Sequence, residues 1–194
     1  ERWPWFALAQ VPFGIVMLLA TFRWRLLLRA QGIHYSFKDA FSLNMIGELF
    51  NQFLIGTTGG DMVKAYVVAV EQPGRRSAAI TTVFVDRAVG LLVLMAFALA
   101  ACLMDIQFIL SRPEVVSLAL LVLCLLVGSM VCGFVFYSRQ VRSLRIVRWA
   151  LARLPFRSVL RQISEAIYVY RYHPREVILS VLASLAVHVC IVAM

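Results

Sequence analysis

The sequence predicts an all-α fold, a polytopic integral membrane helical bundle forming a single transmembrane domain over residues 1–194. Three observations carry that expectation. The chain is 62% hydrophobic, only 15% charged, and has a mean hydropathy of +0.85. A soluble domain of this size would carry far more charge. Several apolar runs approach the roughly 20 residues that cross a bilayer core as helix. The net charge of +9 excludes little by itself, because Arg and Lys gather in cytoplasmic loops of membrane proteins. With that charge in membrane-flanking loops, nucleic acid is not expected as a partner.

Residues 5–22 form the first expected span, bracketed by Trp5 and Trp24 and carrying Pro12 as a kink site. Arg23, Arg25, Arg29 and Lys38 follow it and place that end on the cytoplasmic side. Ser36 and Asp39 then read as a capping box opening a helix over 37–54. On that helix Asn44, Glu48, Asn51 and Gln52 share one face, an unusual polar stripe among Phe41, Met45, Leu49, Phe50 and Phe53. The stripe should face protein or water.

The helix breaks at Gly56-Thr57-Thr58-Gly59-Gly60, and Asp61 reads as the N-cap of a short arm over 62–70. Basic residues Arg75 and Arg76 follow, so both flanks of the stretch lie on one side. An arm that short covers about 14 Å, half a bilayer. A re-entrant helical hairpin broken at Gly56-Gly60 is therefore expected, in preference to two tilted crossings.

Residues 78–104 and 115–137 form the next two spans, joined by a short loop containing Asp105, Arg112 and Glu114. Arg139 to Glu176 is dense in Arg, with an apolar stripe at Leu160, Ile163, Ile167 and Tyr170. It reads as a cytoplasmic interfacial segment against anionic lipid. Residues 177–194 begin a further span, and the chain reads as a fragment of a longer protein.

Charges inside the spans carry the chemistry. Gly59, Gly60, Asp61 and Lys64 combine a glycine break, which can offer backbone N–H groups to a phosphate, with a cation one turn into the helix. The ending of a Walker A loop is absent. The plainer alternative is a hairpin turn capped by Asp61 and neutralised by Lys64. Asp86 and Arg87 sit about two turns into their span. Neighbours on a helix point about 100° apart, so each needs a partner elsewhere. Asp61 or Glu48 suits Arg87, and Lys64 suits Asp86. His188 reads as a hydrogen-bonded buried residue. The four cysteines read as small buried hydrophobes. No metal-ligand cluster, cofactor motif or catalytic set is expected.

Arg23-Trp24-Arg25-Leu26-Leu27-Leu28, the helix with Glu48 and Asn51, Gly59-Gly60-Asp61-x-x-Lys64 and Asp86-Arg87-x-x-Gly90 together resemble the lysylphosphatidylglycerol synthase transmembrane, or flippase-like, family. The likeness covers most of the chain, in order. It departs at Leu54-Ile55, where the family usually has a Pro, and at Lys64, where Arg is common. The resemblance implies a membrane lipid translocase or lipid-headgroup-binding domain in a bacterial or archaeal cytoplasmic membrane, with the basic loops inside. Its substrate would be an anionic, aminoacylated, polyprenyl or glycolipid molecule. Nothing resembles the soluble aminoacyltransferase domain of some members, so this chain alone is not expected to transfer lysine. Glu48, Asn51, Gly59, Gly60, Asp61, Lys64, Asp86 and Arg87 are the expected headgroup residues. An intramembrane enzyme on a lipid-linked substrate and a noncatalytic scaffold are the competing functions.

Overall fold

A computed structural model describes residues 3–53, 59–104, 106–137 and 168–192. Among these residues every regular element is helical: α1 (Trp3–Ala30), α2 (Phe37–Phe53), α3 (Gly59–Glu71), α4 (Arg76–Met104), α5 (Ile106–Leu110), α6 (Pro113–Tyr137) and α7 (Pro174–Val192). Single 3₁₀ turns at Pro73–Arg75 and Tyr170–Tyr172 lead into α4 and α7. Four stretches are long and apolar enough to cross a membrane: Gln10–Ala30, Pro73–Met104, Pro113–Val131 and Pro174–Val192. The protein is an all-α integral membrane bundle. The interfacial reading of Arg139 to Glu176 and the loop at Gly56 to Thr58 fall mostly or wholly outside the described residues.

The helix α1 does not stop at Phe22. It continues through the arginines to Ala30, where Gly32 (φ +70°) closes it. There Ile33 N–H reaches Leu28 O at 2.9 Å and Gly32 N–H reaches Arg29 O at 2.8 Å, the paired bonds of a Schellman stop. Ile33 is buried beside Leu28, which fixes the turn into α2. Ser36 caps α2 by accepting from Asp39 N–H at 3.1 Å. Its hydroxyl donates to the Asp39 carboxylate at 2.5 Å, so Asp39 engages the cap itself and not the preceding backbone.

Helices α2 and α3 pack as a hairpin with both open ends at one end of the bundle. Tyr35 OH donates to Glu71 there, and Arg75 Nη1 donates to Gln31 O at 2.8 Å. Burial and the Glu71 hydrogen bond and charge raise the Tyr35 phenol above its ordinary pKa, so it remains a donor at neutral pH. The second arm is longer than its sequence suggests. It starts at Gly59 and covers about 20 Å. The two arms touch backbone to backbone: a Cβ on Gly60 would lie 1.6 Å from Gly47 O. Only glycine fits at that crossing.

The hairpin leans on α1 and α4, and α7 packs between α1 and α4. The core sits toward the end where the hairpin opens, in a cluster of Trp24, Leu28, Ile33, Ala40, Leu43, Val68, Ala79 and Val83. Leu27, Ala30 and Tyr170 form a second cluster that seats the start of α7. Helix α6 packs on α4, and no residue of its most apolar stretch is buried. Leu118, Leu120, Leu121, Leu123, Leu125 and Val127 face outward, as expected for a helix bathed in hydrocarbon.

Candidate functional site

Five helices each place a polar or charged residue about 7 to 11 residues from the end where the hairpin opens. These are Arg23, Asn44, Asp61 with Lys64, Asp86 with Arg87, and Ser184. At 1.5 Å per residue they form one polar layer roughly 10–16 Å inside the bundle. Arg23, Asp86, Arg87 and Ser184 lie within stretches long and apolar enough to cross a membrane.

The layer has two halves. In the first, Arg23 grips Asp86 with two parallel bonds, Nε to Oδ1 at 2.7 Å and Nη2 to Oδ2 at 2.8 Å. Its remaining nitrogen, Nη1, donates to Ser184 Oγ at 3.1 Å. Arg23 and Asp86 side chains are 11% and 8% exposed, so the pair is desolvated and fully engaged. Gly90 lies one turn beyond Asp86, and a Cβ there would come 3.2 Å from Arg23 Nη1. The Asp-Arg-x-x-Gly spacing thus makes room for a guanidinium from α1. His188 stacks on the same turn, its Nδ1 at 2.7 Å from Ser184 O. A carbonyl can only accept, so Nδ1 carries the proton.

In the second half, Asp61 is shared between two cations. Its Oδ1 lies 2.9 Å from Lys64 Nζ, and its Oδ2 accepts from Arg87 Nε. Lys64 is buried, and its ammonium also donates to Asn44 Oδ1 at 3.1 Å. Asn44 Nδ2 donates onward to Thr21 Oγ1 at 3.2 Å, and Thr21 donates to Met17 O at 2.8 Å. This chain of oriented donors ties α3 to α2 and α1. The Lys64 ammonium also lies 5.3 Å from the centre of the Trp24 ring, in cation–π contact. The stem of Lys64 runs over Gly47, where a Cβ would meet its Cγ and Cδ at 2.9 Å.

Arg87 differs from the other four charges. Its side chain is 53% exposed although it emerges from the same layer. Only its Nε has a partner among the described residues, so the two terminal nitrogens are open. Glu48 lies near enough to act on Arg87 electrostatically. Asn51 Nδ2 holds the Glu48 carboxylate at 3.4 Å, while Asn51 Oδ1 accepts from Gly60 N–H at 2.8 Å. Asn51 therefore supplies a cap for α3 from the neighbouring arm. Asp61 is not the N-cap, because α3 starts two residues earlier and its carboxylate is taken by the two cations.

The structure thus brings Glu48, Asn51, Gly60, Asp61, Lys64 and Arg87 together. Gly59 opens α3 beside them. Asp86 does not meet Lys64, its expected counter-ion; it meets Arg23. Sequence reasoning took Arg23 as a cytoplasmic anchor because it heads a run of arginines. Trp24, Thr21, Asn44 and Ser184 also escaped assignment to the site, though Trp24 stands in the Arg23-Trp24-Arg25 motif. Among the described residues no His, Cys, Asp and Glu group could hold a metal ion.

A layer of charged groups inside the bundle, with one half-exposed guanidinium, defines a polytopic helical membrane domain with an internal polar site. The chain belongs to the lysylphosphatidylglycerol synthase TM region family, whose sequence model matches residues 2–194. The family associates the chain with membrane lipid. No curated protein and no solved structure matches it.

Proposed function

We propose that the chain binds the anionic headgroup of a membrane lipid in this layer and moves that headgroup between leaflets. The observation that carries the reading is Arg87: a half-exposed guanidinium at bilayer depth with its fork open and its back held by Asp61. An exposed Arg in hydrocarbon costs about 2.5–3.5 kcal/mol on insertion scales, and a phosphate offers the planar pair of oxygens that its fork fits. Glu48, Asn51 and Gly59 are half-buried beside Arg87, while Gly60, Asp61 and Lys64 are buried behind it and support the site from within. Asp86 serves the frame, because Arg23 takes both of its oxygens.

Purified protein examined by native mass spectrometry is expected to carry an anionic lipid. In proteoliposomes it is expected to accelerate the exchange of a labelled phosphodiester lipid between leaflets without covalent change. Protein that emerges lipid-free and leaves the exchange rate at that of empty vesicles would overturn the reading.

The hairpin is read as re-entrant from the cytoplasmic side, with the basic segment on that same side. Maleimide applied outside intact cells should fail to label Ser158→Cys in a background lacking the native cysteines. Efficient labelling from outside would invert the topology.

A further inference from the structure

Asp61 poses a problem for any anion approaching Arg87, because a carboxylate already occupies the guanidinium. An anion that meets the open terminal nitrogens competes with that carboxylate for the guanidinium charge, and a carboxylate that loses its cation inside the bundle is costly unless a second cation stays with it. The geometry around Asp61 answers this. Its other oxygen, Oδ1, is held by Lys64 at 2.9 Å, and Lys64 is itself buried and fixed by Asn44 at 3.1 Å.

We infer that Lys64 is the standing counter-ion of Asp61, so that a phosphate-bearing anion can take Arg87 from Asp61 without stranding the carboxylate. The inference rests on the proposed function and concerns how the same site is operated. Lys64 is a positioning residue here: it acts on the anion through Asp61. It is 6% exposed and faces α2 and the Trp24 ring, whereas Arg87 is open. The exchange also has a mechanical result. The Arg87–Asp61 pair ties α4 to α3, while the Lys64–Asp61 pair lies within α3. Moving the carboxylate from a shared partner to its own helix releases the polar tie between α4 and the hairpin. Anion binding and loosening of the hairpin then become one event.

The test is a binding series with the full chain in detergent, using a short-chain phosphatidylglycerol, inorganic phosphate and neutral diacylglycerol as probes. Asp61→Asn should bind the phosphate-bearing probe more tightly than the unaltered protein, by about threefold or more, because the competitor for Arg87 is gone. Lys64→Met should weaken binding about tenfold or more, although Arg87 is intact. The two changes together should restore binding to within about threefold of Asp61→Asn alone, since no carboxylate is left to strand. A Lys64 that touched the phosphate directly would give no such rescue, and a larger loss in the double variant overturns the inference. If Lys64→Met fails to fold by thermal melt, the comparison of Asp61→Asn with the double variant decides alone. A response to phosphatidylglycerol only assigns the anion to a lipid headgroup, and a response to inorganic phosphate assigns it to a free phosphate group; either supports the proposed site, and the rescue decides the exchange. If neither binds, or if Arg87→Ala binds as well as the unaltered chain, the proposed function falls together with the exchange. If Arg87→Ala loses binding but the rescue is absent, the exchange alone falls.

Discussion

Arg87→Ala is expected to abolish leaflet exchange of a phosphodiester lipid in proteoliposomes while leaving folded protein. The side chain is 53% exposed and joins Asp61 through Nε alone. Removing it takes away the only open cationic fork among the described residues of the layer. Asp61 keeps Lys64 at 2.9 Å, so no carboxylate is left bare. Asp61 therefore keeps a counter-ion, and the melting temperature should move by a few degrees at most. Asp61→Asn should slow exchange less severely, because the amide can still bond Arg87 or Lys64 weakly while the ionic tie of α4 to the hairpin is lost. Tighter binding and slower exchange would then appear in one variant. Full exchange activity in Arg87→Ala, with only a lower melting temperature, would make Arg87 a structural tie and remove the site.

Asp86→Ala should show the opposite pattern, a large loss of stability. Arg23 would be left 11% exposed with Ser184 Oγ at 3.1 Å as its remaining hydrogen-bond partner among the described residues. Breaking a buried pair by removing one partner costs about 3–5 kcal/mol, which for a chain of this size lowers the melting temperature by roughly 10 °C or more. Replacing both partners, as Arg23→Met with Asp86→Leu, should recover much of that loss, since two apolar groups leave nothing unsatisfied. Thermal unfolding of the three proteins in one detergent separates these cases. Equal melting temperatures for Asp86→Ala and the unaltered chain would show that the pair does not hold α1, α4 and α7 together.

The fold was legible because hydropathy reports on solvent, and the solvent here is lipid. Long apolar runs and the glycine break needed no tertiary knowledge to read. The neighbours Asp86 and Arg87 were also readable in part: helical geometry turns them to different partners, and Asp61 was among those expected for Arg87. The identity of the Asp86 partner was not readable. Arg23 lies 63 residues away and stands in a run with Arg25 and Arg29, which a loop rule explains equally well. The two arginines in fact part company by helical angle. Arg23 points into the bundle, whereas Arg25 turns to the loop and donates to Tyr35 O at 2.9 Å. The start of α3 was misplaced for a related reason. Asp is a common N-cap, but here the cap comes from Asn51 on another helix, which local sequence does not report.

The Arg23–Asp86–Ser184 junction has a consequence for how the molecule is assembled. Its bonds link positions 63 and 161 residues apart. A chain delivered to the membrane N-terminus first presents Arg23 long before Asp86 exists, and Ser184 later still. Until α4 arrives, the guanidinium has to be satisfied by water or lipid headgroups, so α1 first rests with Arg23 at the interface. Pairing with Asp86 then draws that turn of α1 inward, and Ser184 on α7 completes the seat. The depth at which α1 finally sits thus depends on partners supplied by α4 and α7.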